Sequence, residues 1–234
     1  MNKHDYIKLI ESFLNVGYQD SFFHDYIESS EKVLLLRHDV DFDLAKALEM
    51  AKVENSLGVR STYFFLLSSS SYNLLAPESL RLINNLKYLG HEVSLHFDPT
   101  VYKDFLYGLN EEVEIFEKVV QTKVRAISFH RPAKDLLNNK VKLPKNIVHT
   151  YEEKYFKHTK YISDSGGKFK YGHPLDSNEF RNRKNMQLLT HPIWWFTEGS
   201  EPVDKLKFFM LEREKLLSLH VARNCIPWKK YIAE

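Results

Sequence analysis

Cysteine, long apolar runs and an excess of one charge sign are all scarce in this sequence. Cys225 is the single cysteine among 234 residues, which excludes a disulfide framework and a cysteine-based zinc site. The first twenty residues carry Asp5, Glu11 and Asp20 among apolar residues, so they predict neither a secretion signal nor a membrane span. With 33 basic and 31 acidic residues, the net charge of +2 gives no argument for a nucleic-acid partner. We therefore expect a cytoplasmic protein.

Size and composition are those of a soluble globular protein. A hydrophobic fraction of 43% and a charged fraction of 27% are ordinary for this class, and a chain of 234 residues can bury a core without disulfides. Residues 3–28 have apolar positions at helical spacing. We expect residues 1–30 to form a helical extension packed on a main domain of residues 31–234.

Segments typical of strands alternate with segments typical of helices along the main domain. This alternation predicts an α/β fold made of parallel βα units, a distorted parallel (β/α) barrel of about seven strands. The predicted strands are 33–39, 61–67, 92–97, 124–130, 147–151, 161–163 and 186–191. The predicted helices are 42–57, 77–89, 110–120 and 203–222, the last as a closing amphipathic helix.

The segment 34–41 is the most informative part of the chain. Three leucines predict a buried strand, which then delivers Arg37, His38, Asp39 and Asp41 within five positions. Because alternate side chains of a strand share a face, Asp39 and Asp41 point the same way. Two such carboxylates repel unless a cation or a proton lies between them. The segment therefore predicts a metal site with an adjacent general base.

Ionisable side chains follow four further predicted strands. One histidine at a strand end is usually structural, but strand ends of a parallel barrel converge on one mouth, where ligands and catalytic groups lie. Histidine and aspartate without cysteine suit zinc in a catalytic site, and other divalent first-row metals fit as well. The residues concerned are His96, Asp98, His130, Arg131, Asp164 and His191.

Five segments resemble, in order, the motifs of polysaccharide deacetylases of the NodB-like family, also called carbohydrate esterase family 4. They are 37–41, 58–65, 77–96, 130–132 and 188–192, and the similarity covers about residues 33–195. The pieces 38–41, 128–132 and 190–195 look like a divergent subgroup associated with bacterial surface-polysaccharide gene clusters.

The resemblance implies a role for each matching residue. It makes Asp39 the catalytic base, Asp41 and His96 metal ligands, Arg131 the arginine that holds the base, His191 the general acid and Asp164 the residue that orients it.

The chain also departs from the family pattern. Val40 separates the paired aspartates, and Thr100 stands where most members have a second metal-binding histidine. The identity of the third metal ligand is therefore undecided, and His130 is the first candidate and Asp98 the second. If Arg131 points into the mouth, strand alternation turns His130 away unless the chain bends at Pro132.

Together these features predict a metal-dependent hydrolase, a zinc deacetylase that removes the N-acetyl group of a sugar or of a nucleotide-linked or lipid-linked sugar intermediate. Trp194, Trp195 and Asp98 are predicted to bind substrate, although the tryptophans fit a core position equally well. The alternatives are a carbohydrate-binding barrel without activity, a hydrolase of another C–N bond and a sugar isomerase. Oligomeric state stays open.

Overall fold

The computed structural model describes residues 1–29, 31–132 and 143–233. In these residues eight strands form one sheet in which every pairing is parallel. The strands are β1 Gln19–Asp20, β2 Val33–Val40, β3 Thr62–Phe65, β4 Glu92–Phe97, β5 Ala126–Phe129, β6 Val148–His149, β7 Lys160–Ser163 and β8 Met186–Thr190. Their order is β6-β5-β4-β3-β2-β8-β7, and β1 pairs with the first residues of β2.

The sheet curls until its two ends approach each other. The ring of Tyr151, just after β6, lies 6.2 Å from the ring of Tyr161 in β7, centroid to centroid. From β8, the Gln187 amide donates to the backbone oxygens of Thr150, at 3.1 Å, and Tyr155, at 2.6 Å. The predicted distorted parallel (β/α) barrel of about seven strands is confirmed.

Helices surround the sheet. Within the described residues they are α1 Lys3–Asn15, α2 Leu44–Ser56, α3 Pro77–Tyr88, α4 Phe105–Val120, α5 Glu153–Phe156, α6 Asn178–Arg181, α7 Pro192–Phe196, α8 Pro202–Asn224 and α9 Ile226–Tyr231. Asp43 caps α2 by accepting from two backbone N–H groups, and Gly58 follows that helix with a φ of 73°. None of these helices combines the length and the apolar content that crossing a membrane requires.

The first and the long C-terminal helix pack differently. The buried side chains of α1 belong to the main hydrophobic core, and Tyr6 lies edge-on to Trp195 and Phe196 of α7. In contrast, α8 buries only Lys205, Phe209 and Ala222 along 23 residues. The closing helix predicted over 203–222 is present, but most of its apolar side chains are exposed and only its first half packs on the core, through Leu206 and Phe209.

Candidate active site at the carboxyl ends of the strands

The carboxyl ends of β2, β4 and β5 bring three ligating side chains together. Asp41 Oδ1 lies 3.3 Å from His96 Nε2 and 3.5 Å from His130 Nδ1, and the two histidine nitrogens are 3.1 Å apart. One ligand atom from each residue lies within 4.8 Å of the others. Two histidines and a carboxylate are a donor set that catalytic zinc sites use.

The surroundings of this group fit a bound cation. Asp41 Oδ1 is buried and has no hydrogen-bond partner of its own, a costly arrangement unless a ligand completes it. His96 Nδ1 lies 2.6 Å from the Ser128 hydroxyl, and this contact orients the ring and leaves Nε2 towards Asp41. Burial alone would raise the pKa of Asp41, but the neighbouring His130 and His96 hold it well below its usual range.

Asp39 lies beside this group on the same face of β2. Its Oδ2 is 3.9 Å from His96 Nε2 and 3.4 Å from a guanidinium nitrogen of Arg37, and its Oδ1 is buried without a hydrogen-bond partner. Arg37 is fully buried, donates to the Tyr151 hydroxyl at 3.0 Å and lies 4.9 Å from the centre of that ring. A positive charge therefore faces Asp39 from two positions earlier in the same strand.

The predicted pairing of Arg131 with Asp39 is replaced by another. Arg131 has a φ of 49°, which takes the chain out of the extended conformation after β5. Its guanidinium donates to Asp98, and its side chain is 65% exposed. His130 faces Asp41 from the same side of β5 as Ser128, and Arg131 pairs with Asp98, so the two neighbours do not compete for one face.

Asp98 has partners that leave it outside the ligand group. It accepts from the backbone N–H and the hydroxyl of Thr100, at 2.9 and 2.7 Å, and from Arg131. Burial would raise the pKa of Asp98, but Arg131 and Thr100 lower it. These contacts engage both oxygens of the carboxylate that was the alternative metal ligand. The contact of Asp98 with substrate stays a prediction.

A histidine and a carboxylate pair at the ends of β8 and β7. His191 Nδ1 lies 2.6 Å from Asp164 Oδ1, and its Nε2 lies 3.8 Å from Asp41 Oδ2. Asp164 is fully buried and also accepts from the His191 backbone N–H. Burial would lower the pKa of His191, but Asp164 outweighs it and raises that pKa to about 9. The carboxylate of Asp164 therefore favours the protonated form of His191.

The two tryptophans of α7 have different positions. Trp195 is buried, and its indole N–H donates to Asp164 Oδ2 at 2.7 Å. Its position fits support of Asp164 rather than the predicted stacking on substrate. Trp194 lines the mouth cavity of about 280 Å³, together with Asp39, Asp41 and His191.

A larger cavity of about 940 Å³ lies at the amino ends of the strands. Its walls include Lys32, Lys160 and Asn185, which stand at the starts of β2, β7 and β8. Since chemistry in parallel barrels lies at the carboxyl ends of the strands, the smaller cavity is the candidate active site.

Sequence reasoning missed Arg37 and the role of Trp195. The signal for Arg37 was present, because residues two apart in a strand share a face and Arg37 precedes Asp39 by two. Trp195 gave no such signal, since its contact with Asp164 depends on the turn from β8 into α7.

Comparisons with known proteins give structural similarity alone. No protein-family model matches the chain, and no curated protein is similar to it in sequence. Solved structures similar to it include the peptidoglycan deacetylase PdaC of Bacillus subtilis, with a TM-score of 0.45, 11% identity and coverage of 81% of this chain and 87% of that one. The deacetylase PplD of Streptococcus pyogenes, in complex with acetate, has a TM-score of 0.46, 11% identity and coverage of 87% and 85%.

A family 4 acetyl xylan esterase from Clostridium thermocellum, in complex with a cobalt ion, is also similar. Its TM-score is 0.42 at 13% identity, with coverage of 78% of this chain and 83% of that one. Similarity at this level assigns no activity. Any function for this chain must therefore rest on its own residues.

Proposed function

We propose that the protein is a metal-dependent deacetylase that hydrolyses the N-acetyl group of a sugar or sugar-containing intermediate in the synthesis of surface polysaccharide. One observation carries the proposal. Next to the group Asp41, His96 and His130, Asp39 lies 3.9 Å from His96 and His191 lies 3.8 Å from Asp41. A metal-ligand set with a carboxylate and a histidine beside it is the arrangement that hydrolysis of an amide requires.

Asp41, His96 and His130 are the proposed ligands of a divalent ion, with Zn²⁺ as the proposed metal. When bound, such an ion would lower the pKa of water from 15.7 towards ~7 and would polarise an amide carbonyl. The buried, unpartnered Asp41 Oδ1 supports this assignment. So does Ser128, whose hydroxyl fixes the ring of His96.

Asp39 and His191 are the proposed base and acid. Asp39 takes a proton from the attacking water, and a guanidinium nitrogen of Arg37 lies 3.4 Å from its Oδ2. His191 then gives a proton to the nitrogen of the leaving amine as the C–N bond breaks. Asp164 and Trp195 hold the imidazole in place. One water and one amide yield acetate and an amino sugar.

The proposed substrate is a small unit. A cavity of about 280 Å³ lies at the lower end of the range for ligand pockets, ~300–1,000 Å³, and suits one acylated sugar ring. The order of the motifs from 33 to 195 supports an N-acetylated sugar, and the subgroup they resemble supports a precursor of surface polysaccharide. We propose a nucleotide-linked or lipid-linked form of that sugar as substrate.

The test measures acetate release and bound metal on the same samples. Purified protein with zinc is incubated with N-acetylglucosamine and with UDP-N-acetylglucosamine, and zinc is quantified by mass spectrometry. We expect Asp41→Asn to lose zinc and activity, whereas Asp39→Asn keeps zinc and loses activity. Asp176→Asn, an exposed carboxylate that does not line the mouth cavity, is the matched control and keeps both.

Two outcomes would contradict the proposal. Acetate release that survives Asp39→Asn would remove the base assignment. Tight sugar binding without zinc and without acetate would favour a carbohydrate-binding barrel that lacks activity.

A further inference from the structure

Tyr151 follows β6 at the carboxyl edge of the sheet, and it lines the mouth cavity together with Asp39, Asp41 and His191. Its hydroxyl oxygen accepts a hydrogen bond from a guanidinium nitrogen of Arg37 at 3.0 Å. The same nitrogen lies 3.4 Å from Asp39 Oδ2. The Tyr151 hydroxyl and the Asp39 carboxylate are therefore neighbours around one nitrogen of Arg37.

Packing holds the Tyr151 ring on several sides. The ring lies nearly parallel to that of Phe129, with an interplanar angle of 6° and 6.2 Å between centroids, and it lies edge-on to Phe156 at 5.5 Å. The central carbon of the Arg37 guanidinium is 4.9 Å from the ring centre. The hydroxyl is therefore held in place before a ligand enters the cavity, which is the property that makes a hydrogen-bond donor effective in catalysis.

The proton of this hydroxyl has no acceptor among the residues that the structure describes. A tyrosine hydroxyl both donates and accepts hydrogen bonds, and Arg37 uses only the accepting side. Because hydrogen bonds in a chain polarise one another, a cation that donates to the oxygen strengthens the hydroxyl as a donor. Tyr151 thus gives the wall of the cavity a neutral donor whose proton is free to bind a ligand.

Three atoms of an amide hydrolysis need a partner: the oxygen of the attacking water, the leaving nitrogen and the carbonyl oxygen. Asp39 and His191 are the proposed partners of the first two. The carbonyl oxygen gains negative charge as the water attacks, and a donor placed at such an oxygen is commonly worth 10²- to 10³-fold in rate, as an order of magnitude.

We propose that Tyr151 is a further catalytic residue, whose hydroxyl donates a hydrogen bond to the carbonyl oxygen of the amide under attack. This role rests on the deacetylase function proposed above. The proton stays on Tyr151 throughout, because the hydrogen bond strengthens as charge develops on the carbonyl oxygen and weakens again when the C–N bond breaks. Asp39 and His191 carry out the two proton transfers.

Tyr151→Phe keeps the ring and removes the donor. With UDP-N-acetylglucosamine as substrate, we expect kcat for acetate release to fall about a hundredfold while KM changes by less than about threefold. The matched control is Tyr18→Phe, which removes a hydroxyl that donates to the backbone oxygen of Lys184 at 2.7 Å and does not line the mouth cavity. It should keep kcat within about twofold.

Binding of acetate, the expected product, gives a measurement that does not depend on turnover. A carboxylate oxygen of acetate can accept from the same hydroxyl as the carbonyl oxygen of the substrate. In a titration of the zinc-loaded protein followed by NMR, Tyr151→Phe should bind acetate about tenfold more weakly, whereas Tyr18→Phe should bind it like the unchanged protein. Zinc content and thermal melting of each variant confirm that the site and the fold are retained.

Two results would overturn the role of Tyr151 and leave the deacetylase function intact. One is a kcat of Tyr151→Phe equal to that of Tyr18→Phe. The other is a rise in KM at unchanged kcat, which would make Tyr151 a residue that binds substrate and transition state equally. Failure of the deacetylase function looks different, because the unchanged protein would then release no acetate. In that case the catalytic role falls with it, and the titration still decides whether Tyr151 binds a carboxylate in the mouth.

Discussion

Two buried clusters of ionisable groups lie on opposite faces of β2, and they differ in how their oxygens are used. Behind the sheet, Glu54 of α2 is fully buried, and both of its oxygens have partners. Oε1 accepts from the Tyr6 hydroxyl and contacts His38 Nε2 at 2.8 Å. Oε2 accepts from the hydroxyls of Ser61, at 2.7 Å, and Tyr63, at 2.8 Å.

At the mouth, the carboxylates lack part of their hydrogen-bond partners. Asp39 Oδ1 and Asp41 Oδ1 are buried without a hydrogen-bond partner, although three histidines surround them. A buried cluster whose polar atoms all have hydrogen-bond partners stabilises and orders a fold. A cluster with buried polar atoms that lack partners is retained where a ligand or a reaction supplies the missing partner. The comparison therefore separates a structural cluster around Glu54 from a functional cluster around Asp41.

The largest effect is expected at the mouth. Asp39→Asn should reduce the rate of acetate release by up to about 10⁴-fold, because the base is lost while the ligands remain. Its free energy of unfolding should fall by less than that of Glu54→Gln, because the new amide oxygen can still accept from Arg37. Steady-state kinetics measures the rate and calorimetry measures the stability, both on one preparation. A large loss of stability would place Asp39 with the structural cluster.

Behind the sheet the effect should fall on stability. Glu54→Gln removes the charge that faces His38 and leaves a buried network half satisfied, so we expect a loss of about 3 kcal/mol in the free energy of unfolding. Urea denaturation measures it. The folded fraction should keep its turnover number within about threefold, because Glu54 does not touch the mouth cavity. A large loss of turnover with unchanged stability would make the cluster around Glu54 functional rather than structural.

Bound metal should stabilise the protein only by binding to the ligand group at the mouth. At a hundred times its dissociation constant, zinc should add about 2.7 kcal/mol to the free energy of unfolding. His130→Ala should abolish this gain. His91→Gln, a buried histidine of the Glu54 cluster, is the control that keeps it. Equal gains in both variants would show that zinc binds elsewhere.

Acid should weaken the structural cluster. Burial would raise the pKa of Glu54, but His38 outweighs it and lowers the folded-state pKa to about 2 from an ordinary 4.5. The stabilisation is therefore present above pH 4.5 and is lost as the pH falls towards 2, with about 2 kcal/mol gone by pH 3. Unfolding measured from pH 6 to pH 3 should show this loss, and Glu54→Gln should flatten it.

The smallest effect separates the two arginines. Arg37→Met should lower turnover about tenfold, since it removes the positive charge that faces Asp39, while Arg131→Met should stay within about twofold. Acetate release under saturating substrate compares them. The reverse order would restore the role first assigned to Arg131.

Much of the site could be predicted because it depends on short segments of the sequence. Asp39, Asp41, His96 and His191 stand at strand ends that their own apolar segments define, and parallel strands bring such ends together. The alternation of side chains along β2 also determines that Arg37 and Asp39 share one face and His38 takes the other.

What the sequence by itself determined is the alternation of strands and helices and the set of ionisable residues at one end of the barrel. Tertiary structure decided the partners within that set. Arg131, whose backbone is left-handed, pairs with Asp98 rather than with Asp39, and His130 faces Asp41. Tertiary structure also left most apolar side chains of α8 exposed, which the apolar pattern of that helix could not reveal. Side-chain type and strand period are local properties, whereas partners and exposure depend on contacts between segments far apart in the chain.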